Sequence, residues 1–432
     1  MTVQIFTYPN GFRLIYEKSI SSTNISILQA FCDVGSIHEP DGLKGAAHFI
    51  EHMCFKGTKT IPDFKKIYSK YDEIGAYINA VTEKRHTRYI VKCNTDFISG
   101  ILSILADMML HSVFDKTTFK REEQVVIEEN NMTNNEPTSI LFDGIDELLY
   151  EGTEYSAPVD SVKFHEHKFS HSDVTEFYKK YYQPNRMVVS IVSNLPFERV
   201  KKLVAKSCFT EDCKNTTVYP NISGCLTPND DGIKYKIIKA SNTYVSIGFQ
   251  IDPEDKHTLI CLSTILDGPM NARLFKVLRD DNGLTYSAGS ECTTNDKTGD
   301  FIIYSDTQAS KLLIKDGVLP LMIQILNDLL VNGVSNKEVD MAKGYLYGHM
   351  MRTAENDVEL SRYNGEQAIL FPDKEIVPFS QLYNKFYKKI DKGDIDKMIA
   401  KYFKPNLMSV CITSETLPKL TAVKSICEKI RG

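Results

Sequence analysis

Asp173–Ser193 reads DVTEFYKKYYQPNRMVVSIVS, and Asp394–Ser414 reads DIDKMIAKYFKPNLMSVCITS. The strings stand 221 residues apart and agree, without a gap, at Asp173/Asp394, Lys180/Lys401, Tyr181/Tyr402, Pro184/Pro405, Asn185/Asn406, Met187/Met408, Val189/Val410, Ile191/Ile412 and Ser193/Ser414. Unrelated segments share far fewer. Each string predicts the same succession: a helix, a Pro-Asn turn and an apolar strand. The expected fold class is therefore α+β, with two homologous domains joined by a linker, each a mainly antiparallel sheet packed with helices.

Between the strings lies Thr210–Gly232, rich in Asn, Thr, Asp, Pro and Gly and without periodicity. It predicts a linker at 210–232, between an N-terminal domain at 1–209 and its C-terminal homologue at 233–432. A chain of 432 residues suits two cores better than one. In the first half, residues 3–17 read as a hairpin turning at Pro9-Asn10-Gly11, and Asn24–Val34 as a buried strand. Tyr77–Val91 reads as two strands, and Phe97–Leu110 and Asp115–Asn131 as helices. In the second half, Lys234–Phe249 reads as strands. Helices are expected over Met270–Asp281, Lys311–Leu330 and Asn336–Arg352.

Composition excludes some classes of function. A net charge of −5 with both signs mixed argues against nucleic acid as the main partner. No run approaches the roughly 18 apolar residues of a membrane-spanning helix. The first residues, MTVQIFTYPNGFRL, resemble neither a signal peptide nor an Arg-rich presequence. Ten cysteines without a C-x-x-C pair read as small buried hydrophobes in a cytoplasmic or other reducing compartment.

The chemistry gathers in Gly45-Ala-Ala-His48-Phe-Ile-Glu51-His52-Met53. At about 100° per helical residue, His48 and His52 lie within about 40° of one another, and Glu51 falls about 60° to the other side of His48. The order His-x-x-Glu-His inverts the common zinc-protease motif. Two imidazoles suit zinc, and the carboxylate suits a general base acting on zinc-bound water. A third ligand is required. The acidic helix FKREEQVVIEENN offers Glu122 and Glu129, seven apart on one face, although a solvated acidic face would read the same. A rival cluster, His165, His167 and His171, has irregular spacing and reads as a loop and helix start.

His48-x-x-Glu51-His52 followed by Glu129, 77 positions beyond His52, resembles the pitrilysin, insulin-degrading enzyme and mitochondrial processing peptidase family. The flanking HFIEHMCFKGT is similar as well, and the length resembles the short, two-domain members. The resemblance implies a zinc metalloendopeptidase holding one Zn²⁺ per chain through His48, His52 and Glu129. Glu51 would be the general base and Glu122 the supporting carboxylate. It implies that Asn79 and Ala80, in GAYINAVT, lie on a strand pairing with substrate backbone. It further implies that Arg279 and Tyr286, in LRDDNGLTY, bind substrate and help polarise the scissile carbonyl. Without it, Arg279 would be a surface helix residue and Tyr286 a core aromatic. One departure is Glu123, where relatives often carry a basic residue. The short members also imply a homodimer, or a heterodimer with an inactive homologue, in which Arg279 and Tyr286 reach the partner's zinc site. The expected substrate is an extended or unfolded peptide; the competing reading is a non-catalytic scaffold or peptide-binding subunit of the same fold.

Overall fold

The computed structural model describes residues 2–133, 135–159, 170–213, 228–229 and 231–431. The first half runs β1 (Gln4–Thr7), β2 (Arg13–Lys18), β3 (Ile25–Cys32), α1 (Ala46–Cys54), α2 (Phe64–Asp72), β4 (Tyr77–Thr82), β5 (Thr87–Asn94), α3 (Ile98–Leu110), α4 (Lys116–Thr133), α5 (Pro137–Leu149), α6 (His171–Tyr181), β6 (Met187–Ser193) and α7 (Phe197–Val204). The second runs β7 (Lys234–Lys239), β8 (Thr243–Ile251), α8 (Lys256–Asp267), β9 (Ala288–Thr294), β10 (Gly299–Thr307), α9 (Ala309–Leu312), α10 (Val318–Asn332), α11 (Asn336–Thr353), α12 (Asp357–Leu370), α13 (Lys392–Tyr402), β11 (Met408–Ser414) and α14 (Leu420–Cys427).

The duplication is written into the sheets. The first has strand order β1-β2-β6-β3-β5-β4 and the second β7-β11-β8-β10-β9. Each contains one parallel pair, β2 with β6 and β7 with β11, and is otherwise antiparallel. Apart from the added β1, strand follows strand in the same order.

The centre of the first sheet is buried on both faces, which is why β3 and β6 read as continuous apolar runs rather than alternating ones. Leu28, Ala30 and Cys32 of β3 face a core with Phe49, Ile50 and Met53 of α1 and Leu102 and Leu105 of α3. Ile27 and Phe31, on the other face, meet Leu360, Ala368 and Ile369 of α12.

That last contact corrects the contiguous domain boundaries. Of the described residues, one compact unit holds those within 1–131, 158–221 and 351–381, and the other those within 132–157, 222–350 and 382–432. α12, from the second half of the sequence, covers β6, β3 and β2, while α5, from the first half, packs on β8, β11 and β7. Each repeat gives one helix to the unit built around the other repeat's sheet. Of the predicted linker at 210–232, residues 214–227 and 230 fall outside the described residues.

The exchanged helices share one packing device. Gly144 of α5 and Gly365 of α12 are 221 residues apart, the offset of the repeat. A Cβ at Gly144 would lie 2.6 Å from Cys411 Sγ, and one at Gly365 would lie 2.0 Å from Phe31 Cε2. Both helices approach their sheets as closely as a bare Cα permits. Gly365→Ala is expected to lower stability by about 1–3 kcal/mol through overpacking against the buried Phe31 ring. Urea unfolding checks it: the midpoint should fall with the slope unchanged, and a wild-type midpoint would mean that the ring yields.

Two expected helices differ. Lys311–Leu330 is split into α9 and α10, because Gly317 N–H turns back to Ile314 O at 2.8 Å instead of continuing the helical ladder. Met270–Asp281 narrows to a short turn in which Phe275–Asp280 is π-helical, and Gly283 follows with φ +60°. Among the described residues no single helix is long and apolar enough to cross a membrane.

Candidate metal centre

The site is built on α1, whose start is fixed by a carboxylate. Glu39, only 4% exposed, accepts the Gly45 N–H at Oε2 and the Ala47 N–H at Oε1, each at 2.7 Å. Two N–H groups at the helix start are thereby satisfied, and a negative charge sits at the positive end of the helix dipole. Gly45, at φ +92°, makes the turn into the helix.

One helical turn then sets His48 over His52, with their Nε2 atoms 3.1 Å apart. α4 supplies Glu129, whose Oε2 lies 3.2 Å from His52 Nε2. Candidate ligand atoms of His48, His52 and Glu129 all fall within 4.8 Å of one another. Tetrahedral zinc with bonds of about 2.0–2.1 Å separates its ligand atoms by about 3.3 Å. The two spacings, 3.1 and 3.2 Å, lie close to that edge, so the donor set fits the ion that the motif implies.

Glu122, two turns before Glu129 on the same α4 face, is 3% exposed and touches the other nitrogen of the same ring, Oε1 to His52 Nδ1 at 3.0 Å. Lys56 Nζ holds its second oxygen at 2.9 Å. A carboxylate on the far nitrogen fixes the tautomer that leaves Nε2 as a ligand. Burial works against charging the His52 ring, but Glu122 and Glu129 outweigh it and hold its pKa up at about 9. Burial would raise the Glu122 carboxyl, yet His52 and Lys56 bring it below the ordinary value. The hydrogen bond to His52 lowers Glu129.

Glu51 stands apart from this set. It is 8% exposed, and the Thr82 hydroxyl donates to its Oε2 at 2.6 Å. Burial raises its carboxyl above the usual value, against the pull of His48, Thr82 and His52. An open cleft of about 600 Å³ is lined by these groups together with Asn79, Ala80 and Tyr68.

β4 borders that cleft as the last strand of its sheet. Glu83 N–H donates to His86 O at 2.8 Å and closes the β4–β5 hairpin. Antiparallel alternation then turns the backbone N–H and C=O of Ile78, Ala80 and Thr82 away from β5. Consistently, the Ala80 N–H donates to its neighbour's side chain, Asn79 Oδ1, at 2.9 Å. Among the described residues Asn79 and Ala80 thus lie on a sheet edge that pairs with no further strand.

Arg279 and Tyr286 are brought together in the second unit. The Arg279 guanidinium lies 5.2 Å from the Tyr286 ring centroid and 4.5 Å from that of Phe275, and Nη1 donates to Tyr286 O at 3.4 Å. Tyr286 is 79% exposed, which corrects the reading of it as a core aromatic. Asp306 Oδ1 organises this loop, accepting from Tyr286 N at 3.0 Å, Ser287 N at 2.9 Å and the Thr285 hydroxyl. Of the rival histidines, 165 and 167 lie outside the described residues. The ring of His171 is spent on Phe114 O at 2.6 Å.

Sequence reasoning missed Glu39, Lys56 and Asp306 and gave Thr82 no part. Each acts through a contact made only by folding; only the Glu39–Gly45 spacing, across a short loop, gave a local hint.

A duplicated α+β chain thus presents His-x-x-Glu-His on a buried helix with a glutamate from a second helix beside it, the donor arrangement an inverted zinc-protease motif requires. The family follows from direct comparison. Residues 14–161 match the family described as insulinase (peptidase family M16), and residues 168–346 match the peptidase M16 inactive domain. The chain belongs to peptidase family M16. It is 28% identical over 372 residues to the uncharacterized zinc protease YmxG of Bacillus subtilis, covering 85% of this chain and 88% of that one. It is 26% identical over 205 residues to the mitochondrial-processing peptidase subunit beta of Dictyostelium discoideum, 46% of this chain and 42% of the other. The crystal structure of a protease from Helicobacter pylori superposes with a TM-score of 0.85 at 21% identity, covering 95% of this chain and 99% of that one. Family and relatives support a peptidase function in general terms, and the names of relatives point to zinc.

Proposed function

We propose that this chain is a zinc metalloendopeptidase that cleaves extended or unfolded peptides. One observation carries the reading: His48, His52 and Glu129 converge at ligand spacing while Thr82 holds Glu51 beside them. His48, His52 and Glu129 would hold the ion. When bound, zinc supplies Lewis acidity, lowering the pKa of water from 15.7 to about 7 and polarising a carbonyl. Glu51 takes the proton of the attacking water and returns it to the leaving amine. Glu122 keeps the His52 ring in its ligating tautomer. The free edge of β4 binds the substrate as an added strand, giving affinity through backbone bonds without selecting side chains. Arg279 and Tyr286 bind the substrate and polarise the scissile carbonyl. Because one chain carries both groups, a homodimer in a cytoplasmic or other reducing compartment is the simplest assembly.

The test is cleavage of an unstructured peptide mixture by the purified chain, before and after chelation and again after zinc is restored. Loss on chelation and recovery with zinc are expected. A zinc-replete homodimer that cuts nothing would overturn the enzyme reading in favour of a scaffold or peptide-binding subunit.

A further inference from the structure

A second set of donors lies in the first unit, away from the α1 motif. Asp107, on the last turn of α3, and His111, just past its end, are four apart and share a helical face. Cys208 comes from the Cys208–Thr210 turn after α7. One ligand atom from each lies within 4.8 Å of the other two. His111 Nδ1 and Asp107 Oδ1 are 3.0 Å apart, close to the roughly 3.3 Å edge of a zinc tetrahedron. From this geometry we infer a second zinc site with three protein ligands, Asp107, His111 and Cys208, and a fourth position open to water.

The surroundings are arranged as outer contacts of a metal site. The hydroxyls of Thr58 and Thr60 both donate to Asp107 Oδ2, which fixes the carboxylate and leaves Oδ1 facing the histidine. Glu211 Oε2 lies 3.2 Å from His111 Nε2, on the far side of the ring. This repeats the pattern at the first centre, where Glu122 holds the nitrogen of His52 that faces away from Glu129. Asp107 is 6% exposed. Phe209, wholly buried and stacked on Phe12 at 4.6 Å, locks the turn that presents Cys208.

The donor set selects the ion. A thiolate, an imidazole and a carboxylate suit zinc and argue against calcium or magnesium. One carboxylate and one thiolate among the ligands balance the ion's two positive charges, and the more exposed Glu211 carboxylate stands outside them on the far nitrogen of His111. Metal-free, the Cys208 thiol is pushed up to about 12 by burial, with Glu211 and Asp107 adding to it. Binding through Cys208 therefore releases the thiol proton to solvent, and the Nε2 side of the His111 ring faces Glu211. The alternative is an ion network in which His111 bridges Asp107 and Glu211, and this gives Cys208 no part. The bound ion would clamp the turn at 208–210 to the end of α3 and, through Thr58 and Thr60, to the loop that follows α1.

The inference stands apart from the peptidase reading, and cobalt separates the two. The proposed catalytic ligands are nitrogen and oxygen only, so an intense near-ultraviolet thiolate-to-cobalt(II) band in the cobalt-loaded chain reports on a cysteine. The band is expected in wild type, expected to persist in His48→Ala, and expected to vanish in Cys208→Ser. Elemental analysis of the zinc-loaded chain should show one equivalent fewer in Cys208→Ser than in wild type. Should Cys208→Ser fail to fold by circular dichroism, Asp107→Asn replaces it, with a weakened band and lower cobalt affinity expected. A cobalt-replete wild type without the band, or a folded Cys208→Ser with wild-type metal content, would overturn the site and leave the ion network.

Discussion

Glu51→Gln is expected to lower kcat for peptide cleavage by about 10²–10⁴-fold, with KM little changed and zinc content as in wild type. The argument rests on what the amide keeps and what it loses. Glu51 is buried, and its nearest polar partner is the Thr82 hydroxyl at 2.6 Å. Glutamine has the same shape and retains an oxygen for that hydroxyl, so α1 and β4 stay in place. It cannot take a proton. The three proposed ligands are other residues, so the ion stays. Steady-state kinetics on one defined peptide, with metal analysis of the same sample, checks both halves. Equal kcat in the two proteins would remove Glu51 as the base. Lost zinc would make it a ligand or a structural support.

The fold was legible where sequence pattern coincides with burial. The 221-residue repeat announced two related sheets, and doubly buried strands such as MVVSIVS show as unbroken apolar runs. α12 was not legible. Its buried face carries Ser361, Asn364 and Gly365, and it is tied down by polar contacts such as Asn364 Nδ2 to Glu17 Oε2 at 2.7 Å and Ser361 Oγ to Ser190 O at 3.0 Å. A helix that buries polar groups leaves no apolar stripe to read. Nor could any local pattern show that α5 and α12 serve the other repeat's sheet, since helix-to-sheet pairing is a tertiary fact. The site divides in the same way. His48, Glu51 and His52 form a local motif. Glu122 and Glu129 were selected by resemblance from an acidic helix that composition alone would assign to solvent. The groups that hold the machinery come from sequence-distant loops and strands: Lys56 on Glu122, Thr82 on Glu51 and Asp306 under Tyr286.

His52→Ala should have the larger effect on the metal, because the whole centre is assembled around that ring. Its Nε2 faces both His48 and Glu129, and its Nδ1 engages Glu122. Removing it takes away one ligand and disconnects the supporting carboxylate in a single step. His48 and Glu129 remain, and two ligands do not make a zinc site. Loss of an outer partner alone, as in Glu122→Gln, costs about 10–100-fold in metal affinity, so His52→Ala must exceed that, and cleavage should fall to background. Glu122 keeps the Lys56 ammonium at 2.9 Å, so its buried charge is not stranded and the variant should fold. Competition against a chromophoric chelator, with Cys208→Ser added to all three proteins so that only this centre is read, ranks them. The expected order of affinity is wild type, then Glu122→Gln, then His52→Ala. If His52→Ala binds no more weakly than Glu122→Gln, the ring is not a ligand, and the 3.1 and 3.2 Å spacings around its Nε2 are ordinary hydrogen bonds.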